Sequence, residues 1–247
     1  NFDINKMEDQ RLIYLKCAAN LSRSLNILGY KFVLLCNNLK RIQEISTKNN
    51  LKLNLEKINF ETYVPKDTHF LSCHYRVDVF KYFSKKKNEF SILIDLDVVV
   101  VAKLPVLKEI FSDGVGYVNN ISDNIFPAYG KRFIDSQLKL IDSSNSSKWI
   151  GGDFFAGNQD FFELLYKYSK KYQISQIKNK NKLENMTDEL FLTAAINEIN
   201  SKDLYTINDI NDLKIFSRYW SINVAHEQQN FKYVINNFQM LHLLADK

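Results

Sequence analysis

The sequence predicts one α/β domain, in which helices flank a mostly parallel central sheet. Two observations support this class. Stretches with apolar residues at helical spacing alternate with short apolar runs typical of buried strands, and turn residues separate the two kinds of segment. The length of 247 residues suits one large domain with a substantial core, so we expect residues 1–247 to form a single unit.

The first part of the chain shows this alternation most clearly. Leucines recur on one helical face between Glu8 and Leu28, and Gly29 follows as a helix stop. Lys31–Cys36 is an apolar run typical of a buried strand, and Leu39–Lys48 predicts a shorter helix.

Further elements are predicted up to residue 120. They are a helix with Tyr75, Val79 and Phe83 on one face, a strand within Phe90–Val101, a short helix at Leu107–Phe111 and a strand at Gly116–Asn120.

The second half begins with a polar segment, Ile121–Ser147, which we expect to be an irregular, mobile loop that acts as a lid over one side of a binding site. Gly151–Asn158 resumes the core, and Phe161 begins another helix. Thr187 then serves as the N-cap of a helix whose first turn holds Asp188 and Glu189.

Composition limits the functional class. The formal charge of +5 is too small by itself to indicate nucleic acid, but it suits an anionic small substrate. The three cysteines lack zinc-site spacing, which favours a reduced, cytoplasmic setting. No window is long and apolar enough to span a bilayer, so we expect a soluble or peripheral protein.

The most informative feature is the pair Asp95 and Asp97 within an apolar run. On one extended strand these side chains project from the same side, and burying both charges requires a compensating partner. Two carboxylates at a strand end suit Mg²⁺ or Mn²⁺, which keep positions for water and substrate phosphates. The alternative is a strand that ends at Asp95 in a polar turn, although Val98–Val101 resume the apolar run. The pattern therefore favours a metal site for a nucleoside diphosphate.

Other candidates each allow two interpretations. The guanidinium of Arg76 matches phosphate oxygens, but it also suits a surface pair with Asp78. Asp188 and Glu189 suit either a substrate site or a helix start, and Asp153 is a turn residue or a ligand of the donor sugar.

The histidine and tryptophan candidates also allow two interpretations each. His242 lies in an apolar segment, where a core histidine is the common case. Trp149 and Trp220 are either platforms for stacking of sugars or core residues.

In their order along the chain, several of these segments resemble the retaining bacterial galactosyltransferase and glycogenin group of GT-A glycosyltransferases. The matching segments are Tyr75–Arg76, Asp95–Asp97 as a D-x-D motif, Asp153–Gly157, Asp188–Glu189 and His242. The resemblance implies a Rossmann-like GT-A fold, with Mn²⁺ or Mg²⁺ bridging the diphosphate of a nucleotide sugar.

The resemblance also implies roles for individual residues. Asp95, Asp97 and His242 would ligate the metal, and Arg76, Asp95 and Lys247 would contact the donor. The residues that would surround the reacting sugar, as candidate catalytic residues, are Asp153, Asp188 and Glu189. In this fold the first strand binds the base and ribose, and we expect it either to lie upstream of residue 1 or to be absent.

We therefore predict a metal-dependent hexosyltransferase. It would move a hexose from a nucleotide sugar, most simply a UDP-sugar, to a glycan or lipid-linked saccharide in the synthesis of a bacterial surface polysaccharide. One alternative is a nucleotidyltransferase, for which no Gly-rich phosphate loop is visible. Another is a non-catalytic glycan-binding or scaffold protein. No nucleic acid partner is expected.

The segment Lys167–Lys182 contains six lysines and no acidic residue. We expect a cationic surface that contacts an acidic membrane, at its cytoplasmic face, or anionic lipid-linked acceptors. The alternative is a solvated helix in which the lysines serve solubility alone.

Overall fold

The computed structural model describes residues 4–68, 71–87, 89–104, 107–112, 114–144, 146–184, 187–220 and 228–244. In this part of the chain, α-helices pack against three β-sheets, and the sheets have two, four and three strands.

The helices are α1 (Ile4–Ile27), α2 (Leu39–Lys48), α3 (Arg76–Phe83), α4 (Leu107–Ile110), α5 (Ser122–Tyr129), α6 (Lys131–Leu140), α7 (Gln159–Lys178), α8 (Asp188–Ser201) and α9 (Phe231–Asn237). The strands are β1 (Leu34–Cys36), β2 (Leu55–Lys57), β3 (Ser91–Ile94), β4 (Val98–Val100), β5 (Val115–Asn120), β6 (Ile150–Gly157), β7 (Thr206–Asp209), β8 (Phe216–Trp220) and β9 (Met240–Leu244). Short 3₁₀ turns lie at Leu71–Tyr75 and Ile210–Leu213.

The predicted helices in the first part of the chain are confirmed. The first is α1, and the chain leaves it through Gly29, whose φ of +83° suits glycine because that residue has no Cβ to clash. The second is α2, where Asn38 caps the helix by accepting a hydrogen bond from the Arg41 N–H.

The α/β class is confirmed, but the prediction of a mostly parallel sheet is wrong because the sheets are mixed. The four-stranded sheet has the order β3-β6-β5-β7, and β6 runs antiparallel to both β3 and β5. The three-stranded sheet has the order β4-β9-β8, with β4 antiparallel and β8 parallel to β9. Helix–strand alternation along a sequence therefore did not determine strand direction.

The prediction of a single strand through the acid pair is also wrong. The chain leaves β3 at Ile94, turns at Leu96 and Asp97, and enters β4 at Val98. β3 belongs to the four-stranded sheet and β4 to the three-stranded sheet. The two acids therefore lie where the chain passes from one sheet to the other.

Strand β6 separates two hydrophobic clusters. Phe155 packs into the first, which includes Phe80 of α3 and Phe162 of α7. The neighbouring Phe154 packs into the second against Phe216. Successive side chains of a strand point to opposite faces, so a strand buried along its whole length supplies both clusters.

The expectation of an irregular loop at Ile121–Ser147 is wrong. The segment forms α5 and α6, joined at Gly130, whose φ is +80°. Ile125, Ile134 and Leu138 are buried in the first cluster. Most polar residues of these two amphipathic helices lie on the outer faces, although Ser122 and Gln137 are buried, and their abundance concealed the helical pattern.

Two further features are the length and polarity of the helices and a cavity next to Asp95. Among the described residues, each helix is either too short or too polar to cross a bilayer. Strands β1 and β3 line one cavity of about 580 Å³, which extends to Asp95. The additional strand expected upstream of residue 1 stays a prediction.

Candidate active site

Strand register brings the D-x-D acids and His242 together. Where β3 ends, the Asp95 N–H donates to the Asp153 carbonyl at 3.2 Å, continuing the ladder with β6. In the other sheet Val98 pairs with His242, and the Leu243 N–H donates to the Asp97 carbonyl at 3.2 Å. The backbone pairing therefore fixes the positions of all three side chains.

The three predicted metal ligands form one group. The His242 Nε2 atom lies 3.0 Å from Oδ1 of Asp97 and 4.0 Å from Oδ2 of Asp95. One ligand atom from each residue lies within 4.8 Å of the others. The side chains of Asp95 and Asp97 are 30% and 35% exposed, whereas that of His242 is 3% exposed, so the group is open on its carboxylate side.

Asp153 determines how His242 faces this group. The carboxylate Oδ2 of Asp153 lies 2.7 Å from Nδ1 of His242, so Nδ1 carries a proton and donates it. Burial alone would lower the pKa of His242, but Asp153 and Asp97 raise it to about 9. Burial alone would likewise raise the pKa of Asp97, but the hydrogen bond to His242 lowers it.

This donor set fits a divalent cation. Adjacent ligands of an octahedral ion with bonds of about 2.1 Å lie about 3 Å apart, and opposite ligands about 4.2 Å apart. The distances of 3.0 Å and 4.0 Å from His242 Nε2 to the Asp97 and Asp95 oxygens fall in that range. Loss of the Nε2 proton leaves a lone pair directed at the carboxylates, and a cation in that place balances both negative charges. Two oxygens and one imidazole suit Mn²⁺ or Mg²⁺, with Mn²⁺ better matched to the nitrogen ligand.

Arg218 is a central residue that the sequence did not reveal. It pairs with His242 in the β8–β9 register. Its Nε atom donates to Oδ2 of Asp153 at 2.7 Å, and Nη1 donates to Oε1 of Glu189 at 2.7 Å. The other Glu189 oxygen accepts from the indole N–H of Trp149 at 2.9 Å, so both Glu189 oxygens are fixed.

Arg76 connects the acid pair to helix α8. Its Nε atom donates to Oδ2 of Asp188 at 2.6 Å, and Nη1 donates to Oδ1 of Asp95 at 3.0 Å. Burial raises the pKa of Asp188, and Arg76 opposes that effect. The alternative pair of Arg76 with Asp78 is not formed, because Asp78 is buried and accepts the Thr62 N–H at 3.1 Å.

Asp153 lies in the middle of β6 and not in a turn. Its side chain is fully buried. Its second oxygen accepts from the Asn119 amide at 2.9 Å, and Asn119 in turn accepts from the Asn211 amide at 2.9 Å. Burial by itself would raise the pKa of Asp153, but Arg218 and His242 hold it well below the usual range. Asp153 therefore holds Arg218, His242 and Asn119 from a fully buried position.

Two glycines of β6 leave space for these charged side chains. A Cβ on Gly151 would lie 2.8 Å from Nη2 of Arg218, and a Cβ on Gly152 would lie 2.6 Å from Oδ2 of Asp188. Both distances are far shorter than ordinary contacts, so only glycine permits the observed pairing.

The structure brings most of the predicted site residues into one network. Its members are Arg76, Asp95, Asp97, Asp153, Asp188, Glu189 and His242. Lys247 lies outside the described residues. Trp149 is a core residue, 1% exposed, and the Arg218 guanidinium lies 5.6 Å from the ring centre of Trp220.

Comparison with known proteins gives a match of fold. No family model matches the chain, and no curated protein matches it. Among solved structures, the crystal structure of an active-site mutant of LgtC, a glycosyltransferase, is similar with a TM-score of 0.58 and 12% sequence identity. The match covers 96% of this chain and 85% of that chain. The protein therefore has a fold like that of GT-A glycosyltransferases.

Proposed function

We propose that this protein is a metal-dependent glycosyltransferase that moves a hexose from a nucleotide sugar to a saccharide. The observation that carries the proposal is the group formed by Asp95, Asp97 and His242, oriented by Asp153 at the junction of two sheets. The LgtC-like fold supports the same conclusion. The finer assignments are a UDP-sugar donor, Mn²⁺ as the metal and a lipid-linked or surface glycan as acceptor.

The bound cation would stabilise the negative charge that grows on the diphosphate leaving group. Asp95, Asp97 and His242 would hold it. Arg76 keeps one oxygen of Asp95 and leaves the other directed toward His242. Arg76 is therefore a positioning residue for the metal ligands and for Asp188, and its pairs leave little of the guanidinium for a phosphate.

Glu189 is the acid best placed to face the sugar. Side-chain exposure among the three candidates is 0% for Asp153, 8% for Asp188 and 17% for Glu189. A carboxylate held by Arg218 and Trp149 is suited to stabilise positive charge at the anomeric carbon without reorganising. In a retaining reaction this role needs no strong base. In an inverting reaction Glu189 would deprotonate the acceptor hydroxyl.

The two rival functions make different demands on the site. A scaffold protein has no requirement for a complete ligand group with an oriented histidine, so that group argues against this rival. A nucleotidyltransferase would join a nucleoside triphosphate to a sugar phosphate and release pyrophosphate from the triphosphate. The proposed enzyme would release a nucleoside diphosphate from a nucleotide sugar.

The test is a thermal-shift screen of nucleotide sugars with and without Mn²⁺, followed by measurement of nucleoside diphosphate release. We expect stabilisation by one donor class that requires Mn²⁺, and slow donor hydrolysis in the absence of acceptor. In a parallel reaction that supplies a nucleoside triphosphate and a sugar phosphate, pyrophosphate release would support the nucleotidyltransferase. No response to any nucleotide or nucleotide sugar would support the scaffold.

A further inference from the structure

A second concave surface lies away from the metal ligands. It is an open groove of about 400 Å³ between α3, α7 and the segment that precedes α3. Its lining includes Tyr63, Lys81, Lys170, Ile174, Ile177 and Lys178. None of the residues that line this groove belongs to the network around Asp95 and His242.

The charge of this groove is positive and partly uncompensated. Lys81 is neutralised by Glu61 at 2.6 Å. The Lys170 ammonium instead donates to the neutral hydroxyl of Tyr166 at 3.3 Å, and Lys178 makes no ion pair with any residue that the structure describes. The other acid of the lining, Asp78, is buried and accepts the Thr62 N–H, so the groove has three lysines against two acids. The ammonium groups of Lys170 and Lys178 therefore lack an acidic partner among the described residues and are available to an external anion.

Other lysines of the predicted cationic run do not contribute in this way. Lys171 pairs with Glu198 at 2.6 Å, and Lys180 pairs with Asp67. Glu198 and Asp67 both lie in other segments of the chain. The run itself contains no acid, so the sequence did not indicate that two of its lysines are paired. The lysines that can bind an external anion are therefore only part of the Lys167–Lys182 run.

Apolar side chains accompany the two free charges. Ile174 of α7 is 44% exposed and lies one turn from both Lys170 and Lys178, and Tyr63 at the groove is 79% exposed. Lys170, Ile174 and Lys178 share one face of α7, and Tyr63 from the segment before α3 lies beside them at the groove. Exposed tyrosine and isoleucine side chains among lysines are typical of a surface that lies in a bilayer interface. A small soluble anion would make no use of these exposed apolar groups.

We propose that this groove, formed by Tyr63, Lys170, Ile174 and Lys178, docks the protein on an anionic phospholipid surface. The two ammonium groups contact lipid phosphates and carboxylates, while Tyr63 and Ile174 enter the headgroup region. Because α7 packs against both α3 and α8, it presents this surface as a rigid element. The proposal does not depend on the metal site.

Co-sedimentation with vesicles tests the proposal. Vesicles of phosphatidylcholine alone are compared with vesicles that also contain phosphatidylserine, at low and high salt. We expect binding only to the anionic vesicles, weakened by salt. The double variant Lys170→Gln/Lys178→Gln should bind about 10- to 30-fold more weakly, and Tyr63→Ser/Ile174→Ser should also bind more weakly.

A matched control removes the same charge elsewhere. Lys40→Gln/Lys48→Gln changes two exposed lysines of α2, which do not line the groove, and should bind nearly as well as the unchanged protein. All variants alter exposed groups, so unchanged melting temperatures confirm the fold. Equal losses in the groove and control variants, no effect of the apolar variant, or binding to neutral vesicles would each overturn the proposal.

Discussion

Replacing Arg218 by Met should strongly destabilise the protein, because it leaves a buried carboxylate without its cation. The Arg218 side chain is 7% exposed and bonds Asp153, which has no exposure, and Glu189, which is 17% exposed. Removing one partner of a buried ion pair costs about 3–5 kcal/mol. The low end applies, because Glu189 is partly exposed and keeps its bond to Trp149, and Asp153 keeps its bonds to His242 and Asn119.

The measurement is urea unfolding followed by circular dichroism at pH 7. We expect a loss of about 3 kcal/mol in the free energy of unfolding, or a melting temperature lower by roughly 6–12 °C. Arg132→Met is the control, since Arg132 is exposed on α6 and should change stability by less than about 0.5 kcal/mol. The double variant Arg218→Met/Asp153→Asn should recover part of the loss, because it removes the unpaired buried charge while the amide oxygen still accepts the His242 Nδ1–H. Recovery should be incomplete, since the new amide NH2 would face the Asn119 amide that now donates to Asp153.

The same pair predicts a pH effect with a definite sign. The pKa of folded Asp153 is held below its ordinary value of 3.8, so its contribution to stability is present above pH 4 and is lost as pH falls below that value. In Arg218→Met the acid loss should be smaller. A cost under about 1 kcal/mol, with no recovery in the double variant, would refute the reasoning.

Three further predictions concern the site. Gly152→Ala should push Asp188 away from Arg76, because the new Cβ would lie 2.6 Å from Oδ2 of Asp188. We expect a lower free energy of unfolding in urea and weaker donor binding by calorimetry. A variant that matches the unchanged protein in both measurements would contradict this. Mn²⁺ affinity should rise between pH 6 and pH 9, because the ion competes with a His242 proton whose pKa is about 9; isothermal titration should show this rise, and His242→Gln should abolish it. Glu189→Gln should lower kcat for transfer by about 100-fold or more with little change in Mn²⁺ affinity, whereas a parallel loss of both would assign Glu189 to metal binding.

The sequence predicted the acid pair because its chemistry is local. Two carboxylates within an apolar run conflict with burial, and that conflict is visible without a structure. The sequence did not reveal that the chain turns at Leu96 and enters another sheet. Ile92–Ile94 and Val98–Val100 have the same apolar character and were interpreted as one strand.

Arg218 could not be found from the sequence. Its partners Asp153 and Glu189 lie 65 and 29 residues away, and a lone arginine among aromatic residues is an ordinary feature of a strand. His242 was found only through the resemblance, because the register with Val98 that makes it a ligand has no sequence signal. The helices α5 and α6 were missed because the many polar residues of Ile121–Ser147 concealed their amphipathic pattern.

The most direct test of the central claim is the binding of Mn²⁺ in the presence of UDP, followed by loss of the free-ion electron paramagnetic resonance signal. The account predicts one Mn²⁺ per protein, with affinity reduced at least 100-fold in Asp97→Asn and retained in Asp123→Asn, which changes an exposed aspartate of α5. Circular dichroism should show the same fold in both variants. Equal Mn²⁺ affinity in Asp97→Asn and Asp123→Asn would contradict the account.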